Sequence, residues 1–182
     1  MINKFNKKIF KICIISMLSA IFYVVGKFLV LYIGMDLKLT FKVFLLYVIS
    51  VTFSPISGMI VGGIGEFLIQ LTSEYGLTIT TILWVLPYVI LSFLFGIIYK
   101  NLIKNNSRIK LFLLFFLSNI MLSILNTIVL YIDAKLFGYY SFILIFGKFF
   151  VKIFMDIVLA IIYTILFPYC VSIVKKVIKT IN

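Results

Sequence analysis

The chain has 182 residues, of which 64% are hydrophobic and 12% charged, whereas a soluble domain has roughly 45–50% and about 25%. A water-soluble core of this length could not hide so much apolar surface, so we exclude a soluble globular protein. The formal net charge of +12 does not indicate a nucleic-acid partner, because a membrane-embedded chain keeps its basic residues beside the anionic inner leaflet.

Eleven basic residues form three clusters that are separated by long uncharged stretches. Basic segments of multi-pass membrane proteins stay in the cytoplasm. The pattern therefore predicts that all three clusters face the cytoplasm. They comprise Lys4, Lys7, Lys8 and Lys11; then Lys100, Lys104, Arg108 and Lys110; then Lys175, Lys176 and Lys179.

Apolar runs give five membrane spans at first count, since a spanning helix needs about 20 apolar residues. Five spans would place two basic clusters outside, whereas a break at Ser54-Pro55 gives two short helices and places all three inside. We therefore predict an all-α integral membrane protein, a single domain of residues 1–182 with six transmembrane helices and both termini cytoplasmic. The predicted spans are 10–33, 40–53, 56–72, 77–99, 110–132 and 142–174. The first outer loop then holds Asp36, Lys38 and Lys42.

The sequence offers little for catalysis or metal binding. It contains no histidine and only two cysteines, so the usual zinc ligands are missing. Cys13 and Cys170 both lie near basic ends, where a disulfide is not expected. A Ser/His pair, a spaced acid pair and a phosphate-binding loop are all missing. We predict no enzymatic activity and no cofactor.

Small residues four apart share one helix face and allow close backbone approach. Ser16 and Ala20 have this spacing in the first span, and Gly58 and Gly62 have it in the third. Packing within the bundle is the ordinary interpretation. The alternative is that such a face docks another membrane protein.

Isolated charges inside apolar segments are candidates for function, because a charge within a membrane is costly. Lys27 lies near the outer end of the first span and Glu66 lies within the third. Glu66 could pair with Lys27 or carry a proton.

The last span contains Lys148, Lys152 and Asp156 at a spacing of four residues, which places them on one helix face. Lys152 and Asp156 could offset each other, while Lys148 extends its amine to the interface. The functional alternative is a cationic contact for an anionic substrate that enters from outside.

Polar and aromatic residues near the outer end suggest how a ligand could be recognised. Asn119, Ser123 and Asn126 share a face of the fifth span, where they could bond to other helices. The alternative is that the two amides, Asn119 and Asn126, recognise polar edges of a ligand. The aromatic residues are either an interfacial belt or a surface for stacking on a planar heterocycle. They are Tyr75, Trp84, Tyr88, Tyr139 and Tyr140.

Several segments together resemble a known family. Residues 54–66, SPISGMIVGGIGE, are similar to the "GP-x-x-G-x-x-V-G-x-x-G-D/E" segment of the folate-type S components of energy-coupling factor (ECF) transporters. Residues 75–84, YGLTITTILW, resemble the outer loop and helix start that follow, and Leu125-Asn126-Thr127 matches an "LNT" element. Gly138-Tyr139-Tyr140 resembles the next loop. Ser54 departs from the pattern, as do Lys27 and Lys152, which stand where related chains often carry arginine.

The resemblance implies a substrate-binding subunit in a bacterial plasma membrane. Such a subunit captures a vitamin at the outer face and works with a membrane coupling (T) subunit and two cytoplasmic ATPases, which hydrolyse the ATP. It implies that Trp84, Tyr139 and Tyr140 stack on the ligand, that Asn126 bonds to it, and that Lys148 and Lys152 meet its carboxylate. Lys27 and Glu66 complete the expected site, and Ser16 and Ala20 would dock the coupling subunit.

The vitamin stays open among folate, pantothenate, a corrinoid and a deazaguanine precursor. The lysines favour a ligand that carries an acid group, and the aromatic residues favour a ligand that contains a ring. A folate-like ligand is therefore the preferred prediction. A non-transporting membrane scaffold of the cell-shape or division type is the alternative function.

Overall fold

The computed structural model describes residues 4–33, 37–74, 76–102 and 107–181. Asp36, Tyr75 and Lys104, which appear in the sequence predictions, lie outside these residues. The described chain is mainly helical, with six α-helices, one β-hairpin and one π-helical turn. In chain order these are α1 (Lys4–Phe28), β1 (Val30–Ile33), β2 (Leu37–Thr40), α2 (Lys42–Thr52), α3 (Pro55–Leu71), α4 (Thr81–Leu102), α5 (Arg108–Phe137), the π-helical turn (Ile143–Gly147) and α6 (Lys148–Ile181).

The helices have the length and composition of a membrane protein. Within the described chain, α4, α5 and the stretch Ile145–Ile178 are long and apolar enough to cross a bilayer. The apolar part of α1 (Ile12–Phe28), α2 and α3 are shorter. The predicted set of six helices is thus present, and α2 and α3 are the short pair that the sequence indicated.

A β-hairpin replaces the end of the first predicted span. Helix α1 ends at Phe28, and residues up to 33 form β1, which pairs antiparallel with β2 in the register Val30 to Thr40 and Ile33 to Leu37. Leu29 to Ile33 are apolar and include residues that favour strands, so an apolar run alone does not distinguish the two structures. The prediction of one helix from 10 to 33 was therefore wrong beyond residue 28.

Ser54 and Pro55 separate α2 from α3. The Ser54 hydroxyl accepts a hydrogen bond from the Ser57 backbone N–H at 3.0 Å, and Pro55 occupies the first turn, where its missing N–H costs nothing. The two helices therefore fold back on each other. A methyl group on Gly58 would collide with Ser50, and one on Gly62 would lie 3.3 Å from a Leu46 methyl carbon, so this glycine pair packs inside the bundle.

A group of buried aromatic rings forms the centre of the bundle. Tyr47 of α2 lies 4.1 Å from the ring centre of Phe95 in α4 and 5.3 Å from that of Phe115 in α5. Tyr163 and Phe167 of α6 complete the group, and all five residues are essentially inaccessible. This packing joins α2, α4, α5 and α6.

Candidate functional site

A buried ion pair connects α2 to α3. The Lys42 Nζ lies 2.6 Å from Glu66 Oε2, and the two side chains are only 9% and 3% exposed. Gln70 Nε2 donates to the other oxygen of Glu66 at 3.0 Å. A charge in an apolar interior is tolerated when it is paired and hydrogen-bonded, and both carboxylate oxygens meet that condition.

Aromatic rings and one amide surround this ion pair. The Lys42 Nζ lies 4.3 Å from the ring centre of Tyr88 and 5.8 Å from that of Phe22, distances at which a cation is attracted to a ring face. Asn126 lies beside the Tyr88 hydroxyl. Its Oδ1 is buried and has no hydrogen-bond partner among the described residues. We call Lys42, Glu66, Gln70, Tyr88 and Asn126 the polar cluster.

A second set of polar residues connects α5 to α6. Ser123 Oγ donates to Asp156 Oδ2 at 2.5 Å, and Tyr47 donates to Asn119 Oδ1 at 2.8 Å. Lys152 is partly buried and lies within electrostatic range of both Asp156 and Lys42. The one ion pair within 4.0 Å among the described residues is that of Lys42 and Glu66. The charged atoms of Lys152 and Asp156 are therefore more than 4.0 Å apart, although the two residues interact electrostatically.

Glu66 does not pair with Lys27. The Lys27 Nζ donates to the backbone oxygen of Thr72 at 2.7 Å and lies 5.8 Å from the Tyr23 ring centre. Pairing between Glu66 and Lys27 was therefore a wrong prediction, and the partner that Glu66 has, Lys42, was in neither of the two predicted possibilities. The assignment of Lys42 to an outer loop was also wrong, because Lys42 begins α2 with its side chain buried.

The predicted aromatic contacts lie around the end of α5. The Tyr139 hydroxyl and the Thr80 hydroxyl both donate to Asp133. Tyr140 packs edge-on against Tyr131, with ring centres 5.6 Å apart. Trp84 is partly buried in α4, one turn before Tyr88 of the polar cluster.

The structure thus brings together three of the predicted ligand-binding residues. Glu66 and Asn126 belong to the polar cluster, and Lys152 approaches it from α6. Lys27 is directed to another partner. The side chain of Lys148 lies outside the described part of the chain.

The two predicted docking residues face away from the bundle. Ser16 and Ala20 are exposed, whereas Ser19 and Phe22 on the other side of α1 are buried. This face is available to lipid or to another membrane protein.

An apolar cavity of about 330 Å³ opens between α3 and α4. Its walls include Gly63, Phe67 and Val85, and it contains none of the predicted site residues. The cavity is therefore separate from the polar cluster.

Sequence reasoning missed Lys42, Gln70 and Tyr88 as members of the polar cluster. A signal for Lys42 was present, since Lys42 and Glu66 each lie twelve residues from Ser54. Two antiparallel helices that meet at Ser54 bring such residues to the same height. A buried carboxylate needs a partner. Lys42, the basic residue at the same distance from Ser54 as Glu66, was therefore the best candidate for that partner.

Apolar helices around a buried polar cluster are typical of multi-pass membrane proteins that handle a polar ligand. Comparison with known families makes this class more specific. The family model described as "ECF-type riboflavin transporter, S component" matches residues 6–172. No curated protein matches the chain.

The chain belongs to this family of ECF-type S components. It is therefore a substrate-binding subunit for vitamin uptake, one that works with a T component and ATPases and is not itself an enzyme. The predicted resemblance to an S component is confirmed, and the assignment to the folate-type branch stays a prediction. Family membership does not favour the scaffold alternative.

Proposed function

We propose that the chain captures a ring-containing vitamin at the outer face of a bacterial plasma membrane. Six helices cross or enter the membrane as a single domain, and both termini are cytoplasmic. Two features support this orientation. The described residues of the three basic clusters lie at the start of α1, at the end of α4 and start of α5, and at the end of α6, which is one end of the bundle, and positive residues stay in the cytoplasm. The polar cluster joins the start of α2 to the second half of α3, which is the opposite end.

The buried oxygen of Asn126 is the observation that carries the binding site. A buried acceptor without a partner costs about 1–3 kcal/mol. Asn126 Oδ1 is such an acceptor among the described residues, and an N–H or O–H group of a ligand would satisfy it. The site therefore favours a ligand that presents a donor to α5.

The rest of the proposed site follows from the residues near Asn126. Trp84 lies on the same helix as Tyr88 and supplies a ring for stacking. Tyr139 and Tyr140 are 44% and 45% exposed, and we propose that their rings cover the ligand. Glu66 acts by holding Lys42. Lys27 lies in the last turn of α1, and Lys148 is the first residue of α6.

Two vitamins fit these groups in different ways. Riboflavin is the first candidate, because the matching family model carries its name and its ring system offers an imide N–H to Asn126. A folate-like ligand offers a ring N–H together with carboxylates. Lys152, which lacks an ion pair within 4.0 Å among the described residues, would meet one of those carboxylates.

Calorimetry on the purified protein tests the site. Replacing Asn126 with alanine should weaken vitamin binding about 3- to 10-fold, the effect of one hydrogen bond. Thr127→Ala is the matched control, since the Thr127 hydroxyl bonds to the Ser123 backbone and binding should stay within about twofold. Unchanged affinity in the Asn126→Ala variant would show that the ligand lies elsewhere.

Lys152→Gln then separates the two vitamins. If the ligand is folate-like, the loss of a cation that meets its carboxylate should lower affinity about tenfold or more. If the ligand is riboflavin, which carries no carboxylate, the change should be small. Mass spectrometry of small molecules released from the purified protein identifies the vitamin directly. The absence of a bound vitamin, together with no thermal shift in a vitamin panel, would refute the proposal.

A further inference from the structure

A cavity lies at the opposite end of the bundle from the polar cluster. Its volume is about 280 Å³, and its inner walls are Tyr99 of α4, Leu111 of α5 and Phe167 and Val171 of α6. Pro168 also lines it. A proline inside a helix cannot donate to the carbonyl four residues earlier and displaces the neighbouring backbone, which is consistent with a gap in packing at this point.

The cavity changes from apolar to polar along its length. Phe167 is fully buried at one end, and the exposed residues Ser172 and Lys175 form the other. Eight residues of α6 separate Phe167 from Lys175, a distance of about 12 Å along the helix. The cavity thus has apolar residues on its inner walls and a polar mouth that carries a cation.

Two further basic residues are sequence neighbours of residues in the cavity walls. Lys100 follows the wall residue Tyr99 in α4, and Lys110 precedes Leu111 in α5. Both lysines are exposed. The three helices that form the cavity therefore each bring a lysine to the same end of the bundle.

We propose that this cavity binds one anionic phospholipid, with an acyl chain against the aromatic walls and its phosphate beside Lys175. Basic pockets between helices on the cytoplasmic side suit anionic headgroups. Charge and shape together favour this occupant over a zwitterionic lipid, because the apolar part accepts any acyl chain and the lysines distinguish the headgroup. The site is independent of the identity of the vitamin.

Native mass spectrometry of the purified protein tests this proposal. The protein is titrated with phosphatidylglycerol and, separately, with phosphatidylcholine of the same acyl chains. We expect at least a fivefold preference for phosphatidylglycerol. Lys175→Gln should reduce phosphatidylglycerol binding about fivefold, which corresponds to about 1 kcal/mol for one lysine near an anionic headgroup.

Lys176→Gln is the matched control, because it removes the same charge one residue away and Lys176 does not line the cavity. Its effect should be less than twofold. Ser172→Trp should block the mouth and reduce binding without a change in charge. All three variants should keep the vitamin affinity of the original protein.

Three outcomes would overturn the proposal. Equal binding of the two lipids would show that the headgroup is not recognised. Equal losses in the Lys175→Gln and Lys176→Gln variants would show diffuse surface attraction. Undiminished binding in the Ser172→Trp variant would place the lipid outside the cavity.

Discussion

Removal of the buried cation should destabilise the protein more than any surface change. In a Lys42→Met variant, Glu66 keeps the hydrogen bond from Gln70 at 3.0 Å but loses the ammonium at 2.6 Å. Loss of one partner of a buried pair costs about 3–5 kcal/mol. We therefore expect a loss of about 3–5 kcal/mol in the free energy of unfolding.

The double variant Lys42→Met/Glu66→Met isolates the contribution of the charges. Replacing a buried ion pair with apolar residues of similar size is often neutral or stabilising, so the double variant should recover most of the loss. Lys100→Met is the control for removal of an exposed lysine and should change stability by less than about 1 kcal/mol. Unfolding of the purified protein in mixed micelles, as a function of denaturing detergent, measures all three free energies.

Two results would refute this reasoning. If Lys42→Met costs less than about 1 kcal/mol, the ion pair behaves as an exposed one. If the double variant is as unstable as the single variant, the cost arises from lost packing and not from the uncompensated carboxylate.

Two further predictions concern the helix surfaces. Ala20→Leu should leave vitamin affinity unchanged and prevent co-purification with the coupling subunit. Ala20 is exposed on α1, and a close contact between helices requires small residues. Retained co-purification would place the contact elsewhere. Gly65→Ala should lower the free energy of unfolding by about 1–3 kcal/mol, because the added methyl group would collide with the fully buried Phe22 ring. Gly63→Ala is its control and should stay within about 1 kcal/mol of the original, since only a Val89 methyl carbon lies close, at 3.3 Å. Thermal unfolding compares these two variants.

Much of the helical architecture was predictable because membranes impose simple rules. Apolar runs separated by basic clusters predicted six helices, and Ser54-Pro55 marked the turn between α2 and α3. The antiparallel pairing of β1 with β2 was not predictable, because a short apolar run is compatible with either a helix or a strand. The local sequence could not indicate which structure would form.

The candidate site was predictable only in part. Glu66, Asn126 and Lys152 were selected as polar residues in apolar helices, and they do approach one another in the fold. The partner of Glu66 was missed because Lys42 lies close to other charged residues and resembled part of a loop. Lys42 lies opposite Glu66 because α2 and α3 run antiparallel on either side of Ser54-Pro55. The pairing can be inferred only when the turn and both helices are considered together.

The length of α6 exceeds what a bilayer can enclose. Its 34 residues extend about 51 Å, whereas the hydrocarbon core is about 30 Å thick. A tilt of more than 50° would be needed to contain the whole helix, which is beyond the range of about 0–40° found for membrane helices. In the proposed orientation, the excess length carries Lys175 and Lys176 beyond the hydrocarbon core to the depth of the lipid headgroups on the cytoplasmic side, where both lysines can meet anionic phosphates.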